Sequence, residues 1–326
     1  MAEAKKPLNF ALIGAAGFVA PRHLRAVRDT GNRLVAALDP YDGVGIMDSF
    51  FPEADFFTET ERFDRHLDKL RRQGGKGGAN RKVDYVSICS PNYLHDAHIR
   101  LALRNDAHAI CEKPIVLNPW NIDALKVIEK ESGKKVSTIL QLRHHPVIAA
   151  LREKVRKQTV IKPYDIDLTY ITSRGKWYHH SWKGDPSKSG GVATNIGIHF
   201  FDMLIWIFGG VKENVVHVLT PEKAAGYLQL QNARIRWFLS IDSDDLPAHV
   251  KKEGKRTFRS LLMNREEIEF SEGFTDLHTV TYAGILNGKG FGLTDAKPSV
   301  ELAHEIRNSL PRGIKGNYHP FLKNIK

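Results

Sequence analysis

The sequence predicts an α/β protein in two parts. Residues 1–143 read as a doubly wound parallel sheet, and residues 144–326 as an α+β domain with a large, mostly antiparallel open sheet. Three observations carry this reading. Apolar, β-branched runs alternate with helical-period segments through about the first 140 residues. A glycine-bearing turn joins the first of these runs to the first helix. After His145-Pro146 the rhythm changes to long alternating strands, interrupted by one strongly apolar helix.

The first part is expected to hold strands at Asn9–Ile13, Leu34–Leu38, Val83–Cys89, Ala109–Cys111 and Val136–Leu140. Helices are expected near Arg22–Asp29, Thr60–Arg72, Tyr93–Arg104 and Pro119–Glu131. Gln73 to Asn80 is too glycine-rich for either and is expected as a surface loop. In the second part a helix runs to about Val155. Strands follow at Tyr164–Thr172, Val215–Leu219, Gly226–Gln231 and Arg234–Ile241, with an apolar helix at Ile196–Phe208 and closing helices at Leu277–Leu286 and Ala296–Ser309. Along Arg234–Ile241, Ile235, Trp237, Leu239 and Ile241 share one side, and Arg234, Arg236 and Ser240 share the other, the pattern of a sheet buried on one face.

With 42% hydrophobic and 26% charged residues, the composition excludes disordered and fibrous classes. No apolar run approaches the roughly 20 residues of a membrane span, and MAEAKKPLNF lacks a signal-peptide core, so a cytoplasmic location is expected. Cys89 and Cys111 each close an apolar run outside any CxxC pair and read as core residues. The net charge of +11 is dispersed. Its two concentrations, Arg71 to Lys82 and Lys251 to Arg259, read as solvated connectors, so no nucleic-acid partner is expected.

The first strand ends in Gly14-Ala15-Ala16-Gly17-Phe18-Val19-Ala20 and passes straight into a helix. Small residues there let the backbone approach a pyrophosphate, which the free amides of a helix start favour, as in a Rossmann domain. The second strand ends in Asp39, placed for the adenosine ribose hydroxyls, where a carboxylate repels a 2′-phosphate. NAD is therefore expected over NADP.

Two further segments follow strand ends, where open α/β sheets bind ligands: Ser90-Pro91-Asn92-Tyr93-Leu94-His95 and Cys111-Glu112-Lys113-Pro114. With Gln141-Leu142-Arg143 and the run from Gly190-Gly191 to His199, they make the chain resemble the glucose–fructose oxidoreductase and inositol dehydrogenase family over nearly its whole length. That family's signature is T/S-P-N-x-x-H followed by E-K-P. The resemblance implies that Ser90, Pro91, Asn92, His95 and Glu112 line the nicotinamide half of the cofactor site. It further implies that Lys113 reaches the substrate hydroxyl and Arg143 lies near cofactor or substrate. His95-x-x-His98 and His144-His145 have metal-like spacing, but no cysteine or carboxylate cluster joins them, and no metal is expected.

The family commonly carries an aspartate four residues before its second-domain histidine. Here the run is Asn195-Ile196-Gly197-Ile198-His199, and an asparagine cannot hold an imidazolium by charge. Lys113 and His199 are thus the two candidate bases. A histidine, with a reference pKa of about 6.5, suits removal of a hydroxyl proton without tuning. A neutral lysine needs a depression of roughly 3 units, about 4 kcal/mol, whereas its protonated form stabilises an alkoxide directly. The assignment expected is His199 as base and Lys113 as its electrostatic partner.

From Thr172 to Gly184 cations and aromatics crowd one loop, including Arg174, Trp177, Tyr178, Trp182 and Lys183. Such a set suits carboxylate or diphosphate beside a flat ring. With Ala193-Thr194-Asn195, the loop is similar to the family branch that oxidises UDP-N-acetylglucosaminuronate at the sugar 3-position in surface-polysaccharide (O-antigen) synthesis. That similarity implies Arg174, Tyr178, Lys183, Thr194, Asn195 and His199 as substrate contacts, a homotetramer, and 2-oxoglutarate as a second substrate that regenerates NAD. Other nucleotide sugars, inositols and aldoses remain open substrates. So do a reductase running the opposite way and a non-catalytic dinucleotide sensor.

Overall fold

The computed structural model describes residues 6–73, 81–158, 162–270 and 276–324. Of the loop expected from Gln73 to Asn80, residues 74–80 lie outside them, and Gln73 ends a helix. The chain divides into two compact units: Met1–Val116 with Trp120–Gln141 and Asp276–Ala296, and Leu117–Pro119 with Leu142–Thr275 and Lys297–Lys326.

The first unit is built on six parallel strands in the order β3-β2-β1-β4-β5-β6. These are β1 Asn9–Ile13, β2 Arg33–Leu38, β3 Asp55–Phe57, β4 Tyr85–Ile88, β5 His108–Cys111 and β6 Val136–Thr138. Helices α1 Ala20–Asp29, α2 Val44–Phe50, α3 Thr60–Gln73, α4 His95–Arg104 and α5 Pro119–Ser132 connect them. β1 is buried at every residue, as a strand covered on both faces must be. The sequence reading missed α2 and β3. Seven and three residues are too short for a period to declare itself, and β3 is a half-buried edge strand. Both ends of the basic Arg71-to-Lys82 stretch are ordered structure rather than connector: α3 runs to Gln73, Arg81 pairs with Asp55 at 2.8 Å, and Lys82 pairs with Asp106.

The second unit opens with α6 Pro146–Lys157, whose apolar side is buried at Ile148, Leu151 and Val155. Its strands are β7 Tyr164–Thr172, β8 Val211–Leu219, β9 Lys223–Leu230, β10 Ala233–Ser240, β11 Thr257–Met263 and the short β12 Glu266–Glu267. They form a sheet in the order β12-β11-β7-β10-β9-β8, antiparallel except where β10 runs beside β7. Between β7 and β8 lie the short helices α7 Trp177–His180 and α8 Pro186–Ser189, then α9 Ile198–Phe208. α10 Ala248–Lys252 precedes β11. The basic Lys251-to-Arg259 stretch contains the exposed turn at 253–256 that joins α10 to β11, as expected, but it also takes in the end of α10 and the start of β11. Arg259 lies over the rings of Tyr170, Phe200 and Phe270 at 5.5–6.0 Å.

α9 lies on one face of this sheet, its Phe201 edge-on to Trp237 at 5.3 Å, in a core with Ile235 and Leu239. Contrary to the one-face expectation, the other face is also partly covered. Phe238 is 1% exposed, stacked under His319 and packed with Leu246, Val250 and Leu322. Alternation alone cannot reveal that a distant tail folds back over the polar side. The helical run Pro186–Phe208 is long and apolar enough to cross a membrane, but 72% of its most apolar window is buried within this unit, as in a core helix.

α11 Leu277–Leu286 leaves the second unit and packs in the first, with Tyr282 stacked on Phe10 at 6.0 Å and Ile285 in the same core. α12 Leu293–Asn308 closes the chain, with Leu302 and Ile306 in the second core.

Burial drives the pKa of His319 down to about 3, its Nε2 lying 3.1 Å from the Thr169 hydroxyl. In the unfolded chain the same ring titrates near about 6.5, so the unfolded state binds the extra proton as pH falls. Stability held by His319 is complete above that pH and is lost on the way down to the folded value. Thermal unfolding followed from pH 7 to pH 4 is expected to lose on the order of 3 kcal/mol through this residue, and His319→Phe is expected to flatten the slope.

Candidate active site

In the first unit the strand order reverses between β1 and β4, the place where a doubly wound sheet opens a crevice at its carboxyl edge. The two chain segments meet there very closely. A Cβ on Gly14 would lie 2.7–2.8 Å from the backbone of Cys89 and Ser90, and Gly14 has φ +94°, so only glycine fits. The Gly14 amide donates to Leu38 O at 2.8 Å and the Cys89 amide to Ile13 O at 2.9 Å. Phe18 projects from the turn almost fully exposed, with Arg22 6.0 Å above its ring. α1 starts without a side-chain cap and without an acid in its first turn, which leaves its positive end to an anion. Asp39 is buried beside the turn: its two carboxylate oxygens accept from the Ala16 and Tyr41 amides, each at 2.9 Å. Turn, helix start and acid fit the pyrophosphate and adenosine ribose of a dinucleotide.

At the ends of β4 and β5 the two motifs are tied to each other. Pro91 takes φ −55°, ψ 143° and leads into a single turn at Asn92–Leu94, with Asn92 buried. His95, fully buried, sets Nδ1 2.6 Å from Pro114 O and Nε2 2.9 Å from Ser90 O, so one ring spans both turns. Burial pushes its pKa down against those two carbonyls, which favour the protonated ring. His98 lies 2.8 Å from the Ser90 hydroxyl, and burial lowers it to about 4. Neither histidine is arranged as a metal ligand beside the other. Among the described residues, His23, Glu112 and His278 do bring ligand-type atoms within 4.8 Å of one another. Cys89 and Cys111 are neutral thiols, raised well above the usual range by burial.

Glu112, directly after β5, takes hydrogen bonds on Oε1 from His23 Nε2 at 3.2 Å and His278 Nε2 at 2.9 Å, and on Oε2 from the Lys113 amide at 3.2 Å. Burial works to raise its pKa, but the bonds and charges of the two histidines hold it well below the usual carboxylate range. Lys113 is half-buried at the same edge. The sequence reading missed His23, Ser87, His278 and Tyr282: His23 is masked by the arginines of α1, Ser87 is one polar residue in a short strand, and His278 and Tyr282 share α11 with no motif around them.

In the second unit, Arg143 and Asp202 form a buried bidentate pair at 2.7 and 2.9 Å, with Arg143 over Trp206 at 5.6 Å. Asp202, unremarked in the sequence, sits on α9, and so does half-buried His199. The turn before α9, Ala193–Gly197, is a π-helix, a widening frequent at functional sites. It presents Thr194 and Asn195. The Thr194 hydroxyl is buried with no hydrogen-bond partner among the described residues. The Asn195 amide donates to the Tyr178 hydroxyl at 2.7 Å, which pulls the Tyr178 pKa back against the larger rise from burial. Lys183 lies over Trp182 at 4.6 Å and Trp177 at 5.6 Å. Its pKa is lowered by burial and then by the charge of Arg174. A lysine over two indole rings, with a second cation near enough to repel it, makes a receptor for an anion attached to a flat or apolar group.

Comparison with known proteins agrees with these two units. A model of the Gfo/Idh/MocA oxidoreductase family, NAD-binding Rossmann fold, matches residues 8–140, and its C-terminal α/β domain matches residues 159–245. Among solved structures, the chain is similar to the WlbA (WbpB) dehydrogenase of Thermus thermophilus, at 51% identity over 96% of this chain and 99% of that one. The TM-score is 0.91 for its complex with NAD and α-ketoglutarate and 0.90 for that with NAD and UDP-GlcNAcA. The WlbA dehydrogenase of Bordetella pertussis, at 17% identity and TM-score 0.73 over 92% and 94% of the chains, shares the fold. Curated relatives are more distant. D-glucoside 3-dehydrogenase of Escherichia coli matches at 27% over 39% of this chain and 36% of its own length. The 2,7-anhydro-N-acetylneuraminate hydratase of Mediterraneibacter gnavus matches at 27% over 64% and 52%. The matched stretches thus span about a third to a half of those relatives.

The crowding at Gly14 can be separated from its positive φ. Gly31 has φ +74° with open space around it. Gly31→Ala is expected to cost about 1 kcal/mol in urea unfolding, and Gly14→Ala about 2–4 kcal/mol together with loss of dinucleotide binding. Equal costs would show that contact with β4 is unimportant.

Proposed function

Because the chain belongs to the Gfo/Idh/MocA oxidoreductase family through both of its parts, and its cofactor is NAD, we propose that it oxidises the 3-hydroxyl of UDP-linked N-acetylglucosaminuronic acid to the 3-keto sugar. The observation that carries this reading is the 51% identity, over nearly the full length of both chains, with a dehydrogenase seen with NAD and UDP-GlcNAcA. The Arg174 and Lys183 cations with Trp177 and Trp182 support it, since the substrate offers a diphosphate, a carboxylate and a uracil ring.

When bound, NAD would supply the acceptor for the hydride from the sugar C3. His199 takes the hydroxyl proton, and protonated Lys113 stabilises the oxygen as negative charge builds on it. Asn195 orients substrate hydroxyls through the same amide group that it shares with Tyr178. The buried Thr194 hydroxyl, without a protein partner among the described residues, is a ready donor to the sugar. Arg143, held by Asp202, fixes the start of the second unit against α9.

The reading extends to 2-oxoglutarate as the second substrate, reduced as NADH is reoxidised. This is supported by the α-ketoglutarate bound with NAD in the Thermus thermophilus protein. It also includes a homotetramer, a role in making sugars for surface polysaccharides such as O-antigen, and a cytoplasmic location. Two free thiols and the use of NAD suit a reducing compartment.

Absorbance at the NADH band, with a panel of nucleotide sugars, uronates and inositols and with or without 2-oxoglutarate, tests the substrate. Turnover with inositol or free aldoses but none with UDP-N-acetylglucosaminuronate would overturn it. Lys183→Met is expected to raise KM by about 10–100-fold with kcat little changed, and Lys113→Met to lower kcat by at least about 100-fold. In a pH–rate profile, His199→Asn should abolish the acid limb.

A further inference from the structure

Behind the Glu112 carboxylate runs a chain of buried polar groups drawn from four separate elements. Ser87 on β4 lies 2.6 Å from the Tyr282 hydroxyl, and that hydroxyl lies 2.7 Å from His23 Nδ1. Ser87, His23 and Tyr282 are wholly buried, and Glu112 and His278 nearly so. The protons can be assigned from one end. Glu112 is an acceptor only, so both histidines must present Nε2–H to it. His23 is kept neutral chiefly by burial, which leaves its Nδ1 bare. Tyr282 therefore donates to His23, and Ser87 donates to Tyr282. Each of these bonds then has one donor and one acceptor. The Glu112 carboxylate is the anion of the network, buried after β5.

Such a charge is costly to bury and is kept only where something at the site uses it. Outside the network its charge reaches His95 and the thiols of Cys89 and Cys111, the Lys113 amide donates to Oε2, and Arg22 acts on His23 from α1. Asp39, at the end of β2, assigns the adenosine half of the cleft to one side of the β1/β4 reversal. The ends of β4 and β5 then belong to the nicotinamide half. The nicotinamide ring is cationic when oxidised and neutral when reduced.

We propose that Ser87, Tyr282, His23 and His278 hold Glu112 as a fixed buried anion at the nicotinamide end of the cleft, and that this charge favours the oxidised dinucleotide over the reduced one. Glu112 is thus an electrostatic positioning residue, and its charge sets the redox preference of the binding site. Because the assignment rests on the cofactor and not on the sugar, it stands or falls apart from the substrate reading.

The test is binding without sugar: dissociation constants for NAD and for NADH, by calorimetry, in the wild type, Glu112→Gln and Tyr282→Phe. Gln keeps the shape and an acceptor oxygen, so the fold should survive. Glu112→Gln is expected to shift the ratio of the two constants toward NADH by about tenfold. Tyr282→Phe retains the carboxylate and should leave the ratio within about twofold. An unchanged ratio in Glu112→Gln overturns the proposal, and so does an equal shift in Tyr282→Phe, which would mark packing and not charge as the cause. Elemental analysis of the purified protein supplies a further check. One equivalent of a divalent metal, removed by chelator together with the preference, would replace the hydrogen-bonded anion with a His23–Glu112–His278 metal centre.

Discussion

The close approach of β1 to β4 at Gly14 is the constraint on which the first unit depends. With no side chain there, the backbone of Cys89 and Ser90 can lie against the turn, and the strand-end amides interlock across the sheet. The same contact sets where Ser90 stands. Ser90 O in turn receives His95, and His95 reaches Pro114, so the spacing of the two motif turns is inherited from a single missing Cβ. The turn after β1 and the turns after β4 and β5 are thereby tied together.

The second unit solves a different problem, that of presenting polar groups from an almost wholly apolar helix. Gly197 lets the π-turn press onto β10, where a Cβ would come within 2.5 Å of Leu239. Three and two residues before it stand Thr194 and Asn195, and two residues after it stands His199. Farther along, Asp202 takes the Arg143 guanidinium and Trp206 stacks beneath both Arg143 and Arg152. A buried ion pair adds little net stability, but removing one partner leaves an uncompensated charge, so it defines an orientation firmly. The helix that carries His199 is oriented in this way.

Much of this was legible in the sequence, for identifiable reasons. The strands of the first sheet are continuous apolar runs, and Gly14, Asp39, Ser90 and Glu112 all sit at their carboxyl ends, where position alone suggests a role. β10 announced its buried face through Ile235, Trp237 and Leu239. What stayed hidden was either short, as with α2 and β3, or dependent on distant chain. Phe238 reads as an interruption of a polar face until the residues around His319 cover it. His23 and Tyr282 lie 259 residues apart, and neither has a neighbour that signals the other. The basic run before β11 is as solvated as its charges suggest, and those charges hid the strand that begins within it at Thr257.

The return of α11 to the first unit gives the chain an unusual order of events. Ser87, His23 and Glu112 are made early, but their partners on α11 leave the ribosome only after nearly the whole second unit has been translated. Until then the first sheet carries an open, partly polar face. The two units also cannot be parted by a single cut at Gln141, because a piece of the first, Asp276–Ala296, is encoded within the second. Gene recombination can exchange this dinucleotide-binding unit intact only by carrying the intervening sequence with it.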